Sequence, residues 1–424
     1  MGSKDKHSFQ LYVPNTCAFV KESFAFSNLL DYFCGNTSEM TNFFSSDFKL
    51  GILGGGQLGK MLLYETRKFD IQTYVLDPNP EAPCRIACDL FQTGSLLDYN
   101  TVLDFGRQVD VLTFEIETVN VEALEQLESE GKKVFPSAAT LRKIQNKAVQ
   151  KEFYERKGIP TARFRVFTSK EELIEHTGKG EWSFPFVWKS ATGGYDGTGV
   201  SVIRSESDLD KISQGQCLVE EMVAFKNELA VIVARGASGE VSTYPVVEME
   251  FHPEANQVEY VLCPARITPE VAERARAVAK KTSEAFGHVG LLAVEMFQTP
   301  GDEILVNEVA PRPHNSGHYS IEASFTNQFE QHLRAILDLP LGNTESKVGG
   351  VMVNLVGSEG FTGKVIYENI ADILKMKGVT PHIYGKKKTR PFRKMGHVTI
   401  VNPDLSEARR IAEEVKKTIK VISR

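Results

Sequence analysis

Three groups of residues in this 424-residue chain have the types and spacing to do chemistry on phosphates. The first is the stretch Val187 to Val200, VWKSATGGYDGTGV, in which Lys189 precedes four glycines between Gly193 and Gly199. Glycine reaches positive φ and lets the backbone approach a ligand closely. A run of exposed N–H groups suits phosphate oxygens, and Lys189, ending a β-rich run, adds an ammonium point charge. No GK[ST] follows and no helix is opened, so this is not a Walker A loop. By itself the stretch reads equally well as a glycine-rich hairpin turn. The second group lies in two apolar runs, Leu291–Phe297 and Glu303–Val309, joined by the turn Thr299-Pro-Gly-Asp302. That pattern is a hairpin, and it sets Glu295 opposite Asn307 or Glu308. Facing carboxylates repel; a Mg²⁺ between them removes the conflict and gains oxygen ligands. A register shifted by one residue would instead expose one acid. The third group is the loop Ala310-Pro-Arg-Pro-His-Asn-Ser-Gly-His318. Its polar side chains between prolines and a glycine suit a small anion or polar ligand. His314 or His318 is a candidate base, against the plainer reading of solvated loop histidines.

Positioning these groups requires a particular series of elements. Strand Lys49–Leu53 runs into Gly54-Gly-Gly-Gln-Leu-Gly59, a helix to about Lys68, and strand Ile71–Leu76 ending at Asp77. This βαβ unit has the spacing of a dinucleotide fingerprint. NAD binding is one reading, and a Rossmann-like lobe whose glycine turn meets another phosphate at the helix N-terminus is the other. Gln57 puts an amide at the mouth of the turn. A strand over Val111–Glu117 places Glu115 and Glu117 on one face at its C-terminal end, where ligands of open α/β sheets bind. A helix over Val119–Glu130 follows, then a short strand Lys133–Pro136. A basic helix over Thr140–Lys157 carries Lys147 and closes at Gly158 and Pro160; by default that lysine is solvated. From about residue 160 short strands predominate: Arg163–Phe167, Phe186–Lys189, Gly199–Arg204 and Gln216–Glu220 predict a small α+β lobe bearing the glycine loop. The strand through Cys217–Val223 leads to Glu228–Ala234, edge strands able to offer backbone bonds to a purine. Thr268-Pro-Glu opens a helix to Phe286 and Gly287 closes it. The last eighty residues form a smaller β-rich piece with a basic hairpin, Tyr384–Val398. There Lys386 and Arg393 clamp a phosphate if the tip faces the cleft, and otherwise form a solvated charge run.

Composition narrows the function. Hydrophobic residues make up 42% and charged residues 25%, as in ordinary globular proteins, and the net charge of −6 with no dominant basic tract argues against a nucleic-acid partner. The six cysteines show no zinc-like spacing, and Cys84 and Cys88 read as buried thiols; the usage fits a reducing cytoplasm. No run of 18 apolar residues predicts a membrane helix. Residues 1–47 read as an extension: MGSKDKH resembles a cloning remnant, Met40 is a candidate natural start, and no signal-peptide pattern is present.

Taken together, GGGQLGKML, KSATGGYDGTG, NELAVIVARG, VEMF…VNEVAPRPHNSGH and YGKKKTRPFRKMGH resemble the ATP-grasp enzymes. Among them they are similar to the N5-carboxyaminoimidazole ribonucleotide synthetase family, the ATPase subunit of phosphoribosylaminoimidazole carboxylase. The resemblance runs from about Phe48 to the C-terminus, and APRPHNSGH is its most discriminating segment. It implies an α/β and α+β ATP-grasp fold: a Rossmann-like domain over 48–150, a small ATP-lid lobe over 151–223, a large ATP-grasp lobe over 224–345 and a β-rich domain over 346–424. It implies ATP-dependent carboxylation of 5-aminoimidazole ribonucleotide by bicarbonate through carboxyphosphate, in purine biosynthesis, by a cytoplasmic homodimer using Mg²⁺, with Mn²⁺ as the alternative ion. Other ATP-grasp ligases, such as a formate-dependent glycinamide ribonucleotide transformylase or a biotin carboxylase, are the nearest rivals. A dehydrogenase and a non-catalytic ATP-binding scaffold stand further off.

Carried over by residue, Lys147 and Lys189 resemble the ATP-phosphate cations. Gly194, Tyr195, Asp196, Gly197, Thr198, Gly199 and Val200 resemble the triphosphate loop, with Thr198 where a basic residue commonly stands. Glu220, Glu221, Met222 and Val223 look like the adenine hinge, though without its glycine, and Glu228 like the ribose acid. His252, after Phe251, resembles a further ATP contact. Glu295 and Glu308, with Asn307 adjacent, resemble the metal site. Gln57, Glu115 or Glu117, Tyr195, Asp196, Arg312, His314, Asn315, Ser316, Lys386 and Arg393 resemble the ribonucleotide and bicarbonate site. Asp196, Arg312, His314, Asn315, Lys386 and Arg393 are the catalytic candidates among them. On this view the GxGxxG turn binds no NAD.

Overall fold

The computed structural model of the chain describes residues 43–193, 199–252 and 257–424. Strands β1 (Lys49–Leu53), β2 (Gln72–Asp77), β3 (Leu90–Thr93), β4 (Val111–Phe114) and β5 (Lys133–Val134) form a parallel sheet in the order β3-β2-β1-β4-β5. Helices α1 (Gln57–Lys68), α2 (Tyr99–Arg107) and α3 (Val121–Ser129) are its crossovers. The central strands β1 and β4 are nearly all apolar because both their faces are covered; Leu50, Ile52, Leu53, Val111 and Leu112 are buried. Ahead of β1 the described chain already packs: the ring of Phe43 meets Phe48 edge-on at 5.2 Å and that of Phe44 meets Phe69 at 5.9 Å. The expected extension over 1–47 is therefore attached at its last five residues, and 1–42 lie outside the described residues.

Two expectations for this region fail. The strand expected to reach Glu117 stops at Phe114, so Glu115 and Glu117 leave it in a turn and take different partners. The single helix expected over Thr140–Lys157 is two helices, α4 (Ala138–Gln145) and α5 (Lys147–Arg156). Asn146 between them is extended, and its Oδ1 caps α5 by accepting from the N–H groups of Ala148 and Val149. The break makes Lys147 the first residue of α5.

The next lobe is a four-stranded antiparallel sheet, β6 (Phe164–Phe167), β7 (Phe186–Ser190), β8 (Val200–Ile203) and β9 (Cys217–Glu221), in the order β6-β9-β7-β8. Helix α6 (Lys170–Gly178) is capped by Ser169. Phe167, Phe186, Trp188 and Val219 fill a separate core. β7 and β8 are the arms of the glycine hairpin, whose tip, 194–198, lies outside the described residues.

A nine-stranded sheet then takes up most of the remaining chain. Its members are β10 (Asn227–Arg235), β11 (Val241–Thr243), β12 (Val247–Phe251), β13 (Val258–Cys263), β14 (Gly290–Gln298), β15 (Ile304–Ala310) and β16 (Gly349–Val356). After β17 (Gly363–Glu368) come β18 (Val379–Ile383), β19 (Lys388–Thr389) and β20 (Lys394–Asn402), of which β18 and β20 complete the large sheet. The order is β15-β14-β10-β12-β13-β16-β20-β18, with β11 on β10. β10 is therefore interior, between β14 and β12, and not the edge strand expected. The strands beyond residue 345 continue this sheet through the β13–β16 pairing. Helix α7 (Pro269–Phe286) starts and stops as predicted: Thr268 accepts from Val271 N–H, Pro269 is its first residue, and Gly287 closes it at φ 60°. Its Val271, Ala275, Ala279 and Phe286 pack on Leu229, Val231, Leu292 and Val294; each of these Val, Leu and Phe side chains contributes about 1.5–3 kcal/mol by burial. Helix α8 (Gln328–Ile336) packs between this sheet and α1, so the N-terminal lobe and the large sheet share a core of Leu62, Leu63, Phe329 and Leu333.

Candidate active site

The acids of the β14–β15 hairpin meet directly. Glu295 pairs with Glu308, and Met296 with Val306, so Asn307 is the extra residue of a bulge. The bulge answers the question of register: Glu295 and Glu308 share a face, and Asn307 is turned to its own partner. Glu228 on the neighbouring β10 adds a third carboxylate. Burial and the charge of Glu308 push Glu228 up to about 7, and the same causes, with Glu228, push Glu295 up strongly. Glu308 goes the other way, held down chiefly by the ammonium of Lys147. The Lys147 Nζ is 2.7 Å from Glu308 Oε2. Its backbone N–H donates to Ala191 O at 2.8 Å, which ties the start of α5 to the base of the glycine hairpin. Lys147 is thus a cleft residue, where its helix alone implied a solvated one.

Lys189, the last but one residue of β7, is 7% exposed. Its Nζ donates to Asn307 Oδ1 at 2.9 Å and pairs with Glu220 Oε2 at 2.8 Å. The Glu220 side chain is buried among ammonium groups, so at the expected adenine hinge only its backbone remains to meet a base; Glu221 and Met222 are exposed and Val223 half-buried. His252 follows β12 and its ring lies 5.9 Å from that of Phe392. Val200 opens β8 with Gly199 in the turn before it, and Gly194, Tyr195, Asp196, Gly197 and Thr198 lie outside the described residues.

The loop after β15 forms the other wall. The Nε2 of His314 is 3.2 Å from Glu295 Oε1, and its Nδ1 is 2.9 Å from Ser316 Oγ. The Nε of Arg312 is 2.8 Å from Glu117 Oε1. Asn315 exchanges hydrogen bonds with Asn354 of β16, Nδ2 to Oδ1 at 3.0 Å and the reverse at 2.9 Å. Gln328 at the start of α8 accepts from His314 N–H at 2.8 Å and donates to His314 O at 2.8 Å, which fixes the loop from behind. His318 is not a solvated histidine: it is 1% exposed, and burial holds it well below the ordinary range. Its ring stacks on His397 at 4.6 Å, and His397 on His382 at 4.5 Å. This column supports the loop.

The basic hairpin reaches the same region. Lys60 of α1, one turn beyond Gln57, donates to Ile383 O at 2.8 Å. Gln57 is half-buried at the first turn of α1. Lys386 donates to Lys394 O at 2.7 Å and Arg393 to Lys388 O at 2.6 Å, so both side chains are held by carbonyls of their own hairpin. The charge of Lys394 acts on both Glu295 and His318. Sequence reasoning missed Lys394, although it lies in the same basic run, and missed Lys151 and Asn354. Their signal was weak, because a lysine in a helix and an asparagine in a strand declare nothing until their partners are known.

The glycine turn is closed from within. Gly56 and Gly59 N–H donate to Glu115 Oε1 and Oε2 at 2.6 and 2.9 Å, and Gly55 N–H donates to Asp77 Oδ2 at 2.6 Å. A Cβ on Gly56 would stand 2.4 Å from Glu115 Oε1. The glycines here make room for the protein's own carboxylate, in the place where a dinucleotide pyrophosphate would sit. Of the two acids, Glu117 is the one that faces the histidine loop.

Lysines and acids at the junction of a small glycine-hairpin lobe and a large antiparallel sheet define the ATP-grasp class, and the ATP-grasp domain model matches residues 152–329. A ribonucleotide synthetase preATP-grasp domain matches 48–145, and a phosphoribosylaminoimidazole carboxylase C-terminal domain matches 350–411. N5-carboxyaminoimidazole ribonucleotide synthase of Bacillus subtilis is 37% identical over 357 residues, 83% of this chain and 91% of that protein. The crystal structure of the synthetase from Thermotoga maritima superposes with a TM-score of 0.81 at 44% identity, over 89% of this chain and all (100%) of that one. The synthase of Aspergillus clavatus, in complex with ADP and 5-aminoimidazole ribonucleotide, gives 0.80 at 34% identity, over 88% and 98%. The chain is an ATP-grasp ligase and belongs to the N5-carboxyaminoimidazole ribonucleotide synthase family. No helix among the described residues is long and apolar enough to cross a membrane.

Proposed function

We propose that this protein carboxylates 5-aminoimidazole ribonucleotide with bicarbonate at the expense of ATP, giving N5-carboxyaminoimidazole ribonucleotide, ADP and phosphate. The observation that carries the reading is the contact chain Lys147–Glu308–Glu295–His314, which joins the phosphate-binding lobe to the histidine loop. In this reading Lys147, Lys189 and the N–H groups of the glycine hairpin hold the ATP phosphates, and Glu228 meets the ribose. A bicarbonate oxygen attacks the γ-phosphorus, the bond to ADP breaks, and carboxyphosphate forms. Arg312, His314 and Asn315 orient the bicarbonate. The exocyclic amine then attacks the carboxyl carbon, phosphate leaves, and the amine proton passes to the departing phosphate or to His314. Lys386 and Arg393 bind the ribonucleotide phosphate, with Gln57 and Glu117 at the mouth of the glycine turn. Carboxyphosphate hydrolyses in water, so closure of the small lobe over the sheet serves to exclude it.

The facing acids Glu295 and Glu308, with Asn307 beside them, fit a Mg²⁺, which favours a few carboxylates together with substrate phosphates. Bound there, the ion would neutralise charge on the β- and γ-phosphates. A homodimer and a cytoplasmic location complete the reading on resemblance alone. The test is ADP formation by the purified protein with ATP, Mg²⁺ and bicarbonate, with and without 5-aminoimidazole ribonucleotide. Strong stimulation by the ribonucleotide is expected. ATP binding without stimulation would point to another acceptor within the ATP-grasp ligases.

A further inference from the structure

Lys151 has no part in the reaction above, yet it is 2% exposed beside the cleft. It stands one helical turn after Lys147 on α5, so both side chains leave the helix on the same side. Its Nζ lies 2.8 Å from Glu220 Oε1, while Lys189 Nζ lies 2.8 Å from Glu220 Oε2. One carboxylate, 3% exposed, is therefore held between two ammonium groups. Lys151 also donates to Thr161 Oγ1, which donates to Val306 O at 2.6 Å. These contacts fix the Lys151 ammonium from the side of the large sheet, just before Asn307 and Glu308.

Such a trio is costly. Removing charges from water commonly exceeds what their attraction returns, and burial pulls Lys151 down to about 8. A Glu220–Lys189 pair alone would bury fewer charges. It would also cancel the Lys189 charge and leave a weaker site for a polyanion. With Lys151 present the same carboxylate is divided between two cations, and the trio keeps one net positive charge at the end of β7.

We infer that Lys151 is a positioning residue that keeps Lys189 available to the ATP phosphates by sharing the Glu220 carboxylate. The inference rests on the ATP reading above. It predicts a counter-intuitive rescue, because removing the carboxylate as well should return the Lys189 charge to the phosphates.

The experiment compares wild type, Lys151→Met, Lys151→Arg and Lys151→Met/Glu220→Gln by steady-state ADP formation and by calorimetric titration with ATP and Mg²⁺. Lys151→Met should raise the ATP KM about tenfold and leave the ribonucleotide KM within about twofold. The double variant should regain at least about threefold of that loss, and Lys151→Arg should keep the ATP KM within about threefold of wild type. An unchanged ATP KM in Lys151→Met, or a double variant no better than the single one, overturns the inference. If Lys151→Met does not fold, the double variant decides: ATP affinity within about threefold of wild type supports the sharing role, and a loss of about tenfold overturns it. A wild-type protein that binds no ATP would instead remove the ATP reading itself.

Discussion

Two partly buried carboxylate sites in this molecule have opposite solutions. In the N-terminal lobe Glu115 meets the N–H groups of Gly56 and Gly59, and its charge is matched by donors of the same chain. In the central sheet Glu295 meets Glu308 across a hairpin, with Glu228 alongside. Burial and the charges of Glu308 and Glu228 push the Glu295 carboxyl up to about 8. The first site is complete as folded; the second is where the proposed reading places an ion and the ATP phosphates. A glycine turn that looks ready for a ligand is filled, and a strand pair that looks like core is the open site.

The comparison can be broken at four points. Glu308→Ala should lower turnover by about a thousandfold, the scale on which electrostatic stabilisers of a transition state act. Near-normal ADP formation by the folded variant would refute the metal assignment. Glu115→Ala should do the reverse. It leaves two amides without an acceptor and should cost about 1–3 kcal/mol in chemical denaturation, with ATP affinity unchanged. A variant as stable as wild type would show that the turn does not depend on its carboxylate.

A smaller effect concerns Glu228, whose folded value near 7 lies above its ordinary 4.5. The proton stabilises the native state fully below about 4.5, and that contribution is lost as pH rises through about 7. Without nucleotide, the thermal midpoint of wild type should therefore fall relative to Glu228→Gln by about 1–2 °C between pH 5 and pH 8; parallel profiles would place the carboxylate in water. The smallest effect expected is none: NAD should give no thermal protection where ATP with Mg²⁺ does. Protection by NAD would reopen the glycine turn as a ligand site.

Legibility followed the range of the interactions. The βαβ unit, the capped helix from Pro269 to Phe286 and the 290–310 hairpin are written in local residues, through caps, turns and apolar periodicity. The acid pair was legible to within one residue, because a hairpin limits the choices. Asn146 was misread inside a helix, since its capping role depends on a chain direction that the periodicity does not encode. The helix pattern gave Lys147 as solvated by default and did not single out Lys151; only their partners, 161 and 69 residues away along the chain, show what each does.

By itself, the sequence determined the order of lobes, the chemistry-bearing segments and the family they resemble, because these rest on residue types at short spacing. The tertiary structure alone decided which acids face which cations. Charge pairing across 4 Å or less depends on how separate elements pack, and it is packing that closed the glycine turn with Glu115, divided Glu220 between two lysines and left Glu295 against Glu308.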